Sequence, residues 1–545
     1  MSATQIPNGS FYGSWFIIVI TAFITRWVYR YSLVRRSVKG LPQIHSALGF
    51  FESGARTMLP HIPFIWPANA YAIDDPWKKY ADAGSDLIAL TQLSTPDHAV
   101  YITSSPEAAQ LILAKSSVFL KPLDMFRYRA INIFGNQIVS VQNGLDHKRH
   151  KLAVKACFGE STMQEGWNSM ASAFQEMMRQ ERLEVGGVIS DTKELMNKVT
   201  MRVICKSWFG MDSPWTIQTT KDALMPFYEA LHIVEGSLVA QLLFPLWFME
   251  YNPLPSLRRF GNAQRCMVHH LHMMAESRRS ELIQGTESRK PIYRDVLGSL
   301  VAAQVDDRGA HEKPPDTGLS KDEVIGNIFI FVVAGHETTS NTLTFTLAFL
   351  ALYPEWQEKL RQEISEATEG LLSYECINAL PLVLATCYEA MRLRDLVMTL
   401  PKVVQEDVKI PYRTWTPDGK SVERERVLPK GAHVVIDSPA SQRNPFYWDD
   451  SKEFKPTRHL VGNRLQSPNF TGFSKGERKC IGKRFAEVEM VCFVSHLVKT
   501  FTWSAVTEAG ETAEQLKNRL LHGTEALSLT PGTFGLKFEK RSGMP

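Results

Sequence analysis

Two apolar patterns of different length stand out along the chain. Residues 11–25 carry no charge and consist largely of aromatic and β-branched residues. Residues 324–353 contain no proline and follow Ser320-Lys-Asp-Glu323, whose spacing is that of a capping box at a helix N-terminus. The first pattern predicts a helix in a membrane, and the second predicts one long helix that begins after Ser320.

Shorter apolar segments bounded by turn residues predict strands. Residues 87–93 and 99–103 form two such segments, joined by the turn-rich residues 94–98. Residues 433–437 and the segments on either side of Thr530-Pro531-Gly532 are further strand candidates. Most of the sequence between the second strand and residue 400 has a helical pattern, while the charged, proline-containing residues 306–318 predict an exposed loop. The predicted fold class is therefore mainly α with small β-sheets.

The charges beside the first apolar run predict its orientation. Before residue 26 the amino terminus is the only positive charge, whereas five cations follow within fourteen residues: Arg26, Arg30, Arg35, Arg36 and Lys39. By the positive-inside rule, residues 1–40 are predicted to be a single-pass membrane anchor and residues 41–545 a cytosolic domain. A cleaved signal peptide is the alternative, but such peptides carry their cations before the apolar core. Asn8-Gly9-Ser10 is a glycosylation sequon on the predicted lumenal side.

A second apolar stretch, residues 238–248, is interrupted by Gln241 and Pro245. It is too short to span a bilayer, and burial in the protein core is the default interpretation. The alternative is a membrane-dipping segment, which would use Leu242, Leu243, Phe244, Leu246 and Trp247.

Composition bounds the class of protein. The 545 residues are 44% hydrophobic and 22% charged, as in ordinary globular proteins, and no repeat or low-complexity linker divides them. The net charge of +4 gives no reason to expect nucleic acid as a partner. Seven cysteines, odd in number and without a CxxC pair, indicate a reducing compartment.

One cysteine has the surroundings of a metal ligand. Cys480 lies in Phe473-Ser-Lys-Gly476-Glu-Arg478-Lys-Cys480-Ile-Gly482. The glycines allow the main chain to approach a flat ligand closely. Helical periodicity follows, so Cys480 is predicted at a helix N-terminus, where unpaired N–H groups, the helix dipole and nearby Arg478 favour a thiolate. A buried structural cysteine is the alternative.

The pattern Phe-x-x-Gly-x-Arg-x-Cys-x-Gly resembles the heme-binding loop of the cytochrome P-450 family, and the resemblance extends over about residues 40–540. It implies the cytochrome P-450 fold, here with a single N-terminal transmembrane helix. It also implies heme b as cofactor, with the thiolate of Cys480 as axial ligand of the iron. The cofactor-binding loop residues are then Phe473, Gly476, Arg478, Cys480 and Gly482.

The long helix carries Ala334-Gly335-His336-Glu337-Thr338-Thr339 within an apolar stretch. Alone, this cluster could be a helix bend, because threonine hydroxyls bond back to the carbonyl four residues earlier and Gly335 allows close packing. Beside the Cys480 loop it resembles the family's oxygen-activation motif, with Ala334, Gly335, Glu337 and Thr338 as the catalytic group. The resemblance implies that Thr338 hydrogen-bonds bound dioxygen or a water, and that Glu337 relays protons from solvent.

Glu389-Ala-Met-Arg392 places opposite charges on one helical face, the usual spacing of a surface ion pair. Beside the Cys480 loop it resembles the family's buried Glu-x-x-Arg pair. Phe454-Lys-Pro-Thr-Arg458 then supplies the arginine that completes this structural network.

Three positions depart from the family's commoner residues. His147 and Lys151 stand where tryptophan and arginine usually contact a heme propionate, and Lys402 also replaces an arginine. All three keep hydrogen-bond donors, although lysine lacks arginine's bidentate fork. Asp395 replaces the usual proline after the Glu-x-x-Arg pair. The resemblance implies that His147, Lys151 and Lys402 bind the cofactor.

Five cations crowd the cysteine loop, and they are either a solvated face or a docking patch for an acidic flavoprotein: Lys475, Arg478, Lys479, Lys483 and Arg484. The chain has no nicotinamide or flavin motif, so we predict that an NADPH-dependent cytochrome reductase supplies its electrons.

The resemblance implies a monooxygenase in the endoplasmic reticulum membrane, in contact with membrane lipid, that uses dioxygen to hydroxylate an apolar small molecule. Secondary metabolism is one role open to it. A heme-thiolate isomerase or dehydratase and a non-catalytic heme- or lipid-binding protein are the alternatives. Detoxification also stays open as a role. By analogy of position, the predicted apolar pocket contains Met125, Phe126, Phe331, Ala334 and residues 396–400.

Overall fold

The computed structural model describes residues 9–47, 73–93, 98–215, 224–286, 295–304, 318–368 and 371–541. Asn8, the turn at residues 94–97 and the predicted loop at residues 306–317 lie outside the described residues. The α-helices are α1 (Gly9–Ser37), α2 (Lys78–Ala83), α3 (Pro106–Ala114), α4 (Phe126–Ala130), α5 (Leu145–Lys155), α6 (Glu160–Gln180), α7 (Thr192–Phe209), α8 (Phe227–Gly236), α9 (Leu238–Leu243), α10 (Leu246–Glu250), α11 (Pro255–Thr286), α12 (Val296–Ala302), α13 (Lys321–Leu352), α14 (Glu355–Thr368), α15 (Pro381–Leu393), α16 (Ser438–Ser441), α17 (Lys483–Thr500) and α18 (Ala513–Leu520).

Strands are short. They are β1 (Gln43–Ser46), β2 (Leu87–Gln92), β3 (Val100–Thr103), β4 (Phe119–Leu120), β5 (Gly186–Ile189), β6 (Thr399–Val404), β7 (Val408–Trp415), β8 (Ser421–Leu428), β9 (His433–Asp437), β10 (Leu460–Val461), β11 (Arg464–Leu465), β12 (Phe501–Ala505), β13 (Gly523–Glu525), β14 (Leu529–Pro531) and β15 (Leu536–Lys540). The predictions for β2, β3 and β9 are confirmed. Thr530 and Pro531, expected in a turn, lie in β14. The fold is mostly helical with small sheets, as predicted.

The chain divides into two compact units, of which the first comprises Met1–Leu111 and Leu400–Ser441. Its sheet runs in the order β1-β2-β3-β9-β6, with β2 and β3 antiparallel and β3 and β9 parallel. Both faces of β2 are buried, which explains its continuous apolar sequence. Beside the sheet, the Tyr80 hydroxyl donates to a buried Asp437 carboxylate oxygen at 3.0 Å, and Lys79 forms an ion pair with the same carboxylate.

The second unit comprises Ile112–Thr399 and Gln442–Pro545. Helix α13 runs through its core and packs against α7, α15 and α17. The predicted capping box is confirmed, because the Glu323 N–H donates to Ser320 Oγ at 3.2 Å and the Ser320 N–H donates to Glu323 Oε2 at 2.9 Å. Residues on every side of α13 are buried, as expected for a helix that the core surrounds.

The predicted membrane anchor is not confirmed. Helix α1 does form over most of residues 1–40, but its apolar residues are interrupted by Arg26 and Arg30. In the parts of the chain that the structure describes, no helix combines the length and the apolar character needed to cross a membrane.

The core interpretation of residues 238–248 is wrong for part of the segment. Helix α9 ends at Leu243 and α10 begins at Leu246, after Pro245, which cannot extend the preceding helix. Leu243, Phe244 and Trp247 are exposed, with Trp247 at 65%. These three side chains therefore form an apolar patch at the surface, where burial in the core was predicted.

Candidate active site

The loop before Cys480 depends on one glycine. Gly476 has φ +71°, and a Cβ atom there would lie 2.2 Å from the carbonyl oxygen of Leu113. The loop then closes with a hydrogen bond of 2.9 Å from the Cys480 N–H to the Phe473 carbonyl. Helix α17 begins at Lys483, so Cys480 lies just before a helix N-terminus, as predicted.

Gly482 is not required by the protein in the same way. Its φ is −85°, and the nearest atoms to an added Cβ belong to Trp208, at 3.7 Å or more. The two glycines of the predicted motif thus differ: Gly476 is fixed by backbone strain and close packing, whereas no protein contact requires Gly482.

We expect Gly476→Ala to destabilise the fold by about 2 kcal/mol or more, because alanine is strained at positive φ and its Cβ overlaps the Leu113 carbonyl. Gly482→Ala is the matched control and should change stability by less than about 1 kcal/mol. Thermal unfolding of both variants, prepared without heme, measures the difference. Equal midpoints would show that the close approach at Gly476 does not determine the loop.

Cys480 is the one exposed cysteine among the seven, all of which lie in the described residues. Protein surrounds the sulfur closely enough that lost hydration raises the pKa of its thiol, while the Gly482 N–H and the Lys483 ammonium lower it. The prediction of a lowered pKa is therefore wrong for the free thiol. Binding to a metal ion deprotonates a thiol outright, so this raised pKa does not oppose ligation.

Three buried nitrogen atoms near this loop have no hydrogen-bond partner within the described structure: Arg478 Nη1, His147 Nδ1 and Trp208 Nε1. Arg478 donates from Nη2 to the Val141 carbonyl at 2.7 Å, which turns its side chain inward. Burial, followed by the cation of Arg478, lowers the pKa of His147 to about 4. The Arg478 cation and the neutral His147 ring, each with a nitrogen free to donate, fit an acidic group such as a heme propionate.

The other two predicted propionate contacts differ in position. Lys151 lies half-buried on α5, one turn after His147. Lys402 is buried on β6, within the first compact unit.

Gly335 allows α7 to pack close to the predicted oxygen-activation motif. A Cβ at Gly335 would lie 2.9 Å from Ile204 and 3.1 Å from the ring of Trp208. Trp208 is also the nearest neighbour of Gly482, so the motif on α13 and the cysteine loop both lie against this one indole. The structure thus brings together the two motifs that the sequence separates by about 140 residues. Ala334, which precedes Gly335, is exposed although the residues before it are buried.

The hydroxyl and the acid of the motif have defined partners. Thr338 Oγ1 donates to the Ala334 carbonyl at 2.8 Å, the back-bonding expected of a threonine in a helix. Its lone pairs can still accept a hydrogen bond. Glu337 Oε1 accepts a hydrogen bond of 2.8 Å from Ser528, whose hydroxyl in turn accepts one from Asn341. Burial raises the pKa of Glu337, although Ser528 and the cation of Lys193 lower it.

Sequence reasoning missed Ser528, Glu235 and Glu489. Ser528 precedes β14, and nothing in its local sequence indicates contact with Glu337. Glu489 is buried on α17 and accepts a hydrogen bond of 3.1 Å from Thr339. A glutamate between Val488 and Met490 in an apolar helix was a usable signal for a buried polar contact.

The Glu389–Arg392 pair is fully buried, which excludes the surface ion pair. Glu389 accepts from Arg392 at 2.7 and 2.9 Å and from Arg458 at 2.9 Å, so the predicted three-residue network is present. His459 Nε2 joins it 2.9 Å from Glu389 Oε2 and was not predicted. These hydrogen bonds outweigh burial and lower the pKa of Glu389 to about 2.

The predicted pocket and docking residues are partly as expected. Met125, Phe331, Leu396 and Met398 are buried, and the side chain of Phe126 lies outside the described residues. Of the five loop cations, Lys479 and Lys483 are exposed, whereas Arg478 is half-buried and donates to the Val141 carbonyl.

Comparisons with known proteins agree with this geometry. The cytochrome P-450 family model matches residues 59–531. Cytochrome P-450 monooxygenase 124 of Postia placenta is 31% identical over 510 residues, covering 92% of this chain and 95% of the relative. Cytochrome P-450 monooxygenase ORF6 of Penicillium roqueforti is 23% identical over 577 residues, covering 96% and 95%. With a match to most of its length and a relative above 30% identity, the chain belongs to the cytochrome P-450 family.

Proposed function

We propose that this enzyme of the cytochrome P-450 family inserts one atom of dioxygen into a C–H bond of an apolar molecule, with electrons that a flavoprotein reductase takes from NADPH. The second oxygen atom leaves as water, so each turnover consumes two electrons and two protons. The observation that carries this proposal is a half-buried, hydrogen-bonded Glu337 beside Thr338, on a helix that packs against Trp208, which also contacts the Cys480 loop. An isomerase or dehydratase would need neither the acid nor the reductase.

Heme iron, when bound through a cysteine thiolate, supplies the oxidation chemistry. The chain's own residues would position the cofactor and supply protons to the reacting oxygen. Cys480 would hold the iron, and Arg478 and His147 would meet the acidic edge of the cofactor with their unused nitrogen atoms. Thr338 would hold a hydrogen bond at the reacting oxygen. Glu337 would donate protons, because its pKa is raised and therefore lies closer to neutral pH than the pKa of an exposed glutamate.

We expect Thr338→Ala to separate electron use from product formation. The variant should still consume NADPH with a reductase, but release hydrogen peroxide and form at least about tenfold less hydroxylated product, because a positioned proton path contributes this much or more. Thr344→Ala is the matched control: its hydroxyl is buried on the same helix and back-bonded to Ser340, away from the motif.

The measurement uses heme-loaded protein, reductase, NADPH and an apolar compound selected because it shifts the heme absorption spectrum. If the wild type leaves NADPH unconsumed, the isomerase or non-catalytic alternative replaces the monooxygenase. If Thr338→Ala matches Thr344→Ala in both peroxide and product, Thr338 has no part in oxygen activation.

A reductase partner is supported by charge. Lys479 and Lys483 are exposed beside the cysteine loop and would attract an acidic flavoprotein. Association with the endoplasmic reticulum membrane is supported by the exposed apolar side chains of α1, among them Phe23, Ile24 and Val28. Sedimentation of microsomes that contain the full chain tests this location, and recovery of the chain in the soluble fraction would contradict membrane association.

A further inference from the structure

A second glutamate, with one buried carboxyl oxygen, lies beside the oxygen-activation motif and has no part in the mechanism above. Glu235 is the penultimate residue of α8, and its Oε1 lies 3.8 Å from Nε2 of His336, the residue before Glu337. Glu235 Oε1 is buried and has no hydrogen-bond partner in the described parts of the chain. An unpaired buried carboxylate is costly, so its protonation state requires an explanation.

The tautomer of His336 provides that explanation. His336 Nδ1 lies 2.9 Å from the Val332 carbonyl, which can only accept, so Nδ1 must carry a hydrogen. In a neutral imidazole, Nε2 is then an acceptor and faces Glu235 with its lone pair. Only a protonated Glu235 can present a donor to that nitrogen. The alternative is an imidazolium–carboxylate pair, which burial of both groups opposes.

The surrounding charges agree with a neutral pair. Burial lowers the pKa of His336 to about 4, with a further contribution from His232 on α8. Burial and the nearby Glu337 raise the pKa of Glu235, against a smaller lowering by Lys193 on α7. The Tyr228 hydroxyl, which also faces Glu235, is the donor in a 3.5 Å hydrogen bond to Glu194. Because Glu337 acts on the pKa of Glu235, the two carboxyl groups titrate together rather than independently.

We propose that Glu235 is held as a carboxylic acid by burial beside His336 and passes its proton to Glu337 during turnover. In this step an O–H bond of Glu235 breaks and one forms on the Glu337 carboxylate, directly or through one water. Glu235 then takes a proton back from solvent, because 16% of its side chain remains exposed. Glu235 acts through Glu337, so it is a positioning residue, and its role rests on the proposed monooxygenase function.

The first test reads protonation without turnover. Glu235→Gln removes the acidic proton and keeps the shape of the side chain. Glu229→Gln is the matched control, because Glu229 lies on the same helix and pairs with Arg259 at the surface. The infrared spectrum of the heme-loaded wild type at pH 7, minus that of Glu235→Gln, should show a protonated-carboxyl band that shifts in D2O. The same subtraction with Glu229→Gln should show no such band. Absence of that band from the wild type would overturn the proposal.

The second test reads proton delivery. With reductase and NADPH, Glu235→Gln should consume oxygen at least about tenfold more slowly and show a larger solvent isotope effect. Hydrogen peroxide, given in place of oxygen and NADPH, brings its own protons, so peroxide-driven turnover should fall much less. An unchanged isotope effect in Glu235→Gln would overturn the relay while leaving the monooxygenase intact. A wild type inactive by both routes would remove the proposed function, and the relay with it.

Discussion

Replacing Cys480 with serine should abolish the thiolate-type absorption band of the reduced protein with carbon monoxide. A soft thiolate binds heme iron and gives that band, whereas a serine hydroxyl stays protonated near neutral pH and is a poor ligand. The fold should survive, because serine is close to cysteine in size and its hydroxyl oxygen can also accept a hydrogen bond from the Gly482 N–H. We therefore expect near-complete loss of the band with little change in the unfolding temperature.

Cys376→Ser is the matched control. Cys376 is half-buried, and the contacts of its sulfur within the described residues are long, at 3.7 Å to Ser373 and 3.8 Å to Leu371, so its loss should leave the spectrum as in the wild type. Retention of the thiolate band in Cys480→Ser would mean that another cysteine binds the iron. A histidine-type band in both proteins would remove Cys480 from the site altogether.

Local sequence patterns predicted the elements that carry the chemistry. The capping box at Ser320 and the proline-free run after it predicted α13. The spacing from Phe473 to Gly482 predicted the cysteine loop. Each depends on residues fewer than about thirty apart, where helical period and backbone propensity act directly. The resemblance to a known family then related these elements to one another, which periodicity alone could not do.

Contacts between distant segments could not be predicted in the same way. Ser528 reaches Glu337, and His459 reaches Glu389, across separations of 191 and 70 residues. Their local sequences are ordinary, because the partner is supplied by tertiary packing. The prediction that Cys480 favours the thiolate was wrong for the free thiol for the same reason. Its position before a helix and the nearby cations were visible in the sequence, but the larger effect of lost hydration on its pKa was not.

The buried network around Glu389 gives the second large expected effect. Glu389→Gln should destabilise the protein by about 3–5 kcal/mol, because it removes the one carboxylate that balances the buried guanidinium of Arg392 and also accepts from Arg458. The matched control is Glu358→Gln on α14, which has the same three-residue spacing to Arg361 but lies at the surface. There the expected loss is under about 1 kcal/mol. Thermal unfolding midpoints at pH 7 measure both.

The pH dependence separates charge from packing. The pKa of Glu389 is lowered to about 2 from the 4.5 of an ordinary glutamate, so the folded state binds a proton less readily than the unfolded chain. The stability that the carboxylate contributes is therefore fully present above about pH 4.5 and is lost as pH falls towards 2. The difference in stability between the wild type and Glu389→Gln should therefore become smaller as pH falls over that range. A gap independent of pH would mean that the network stabilises the fold by shape and hydrogen bonding, and that the negative charge of Glu389 contributes nothing.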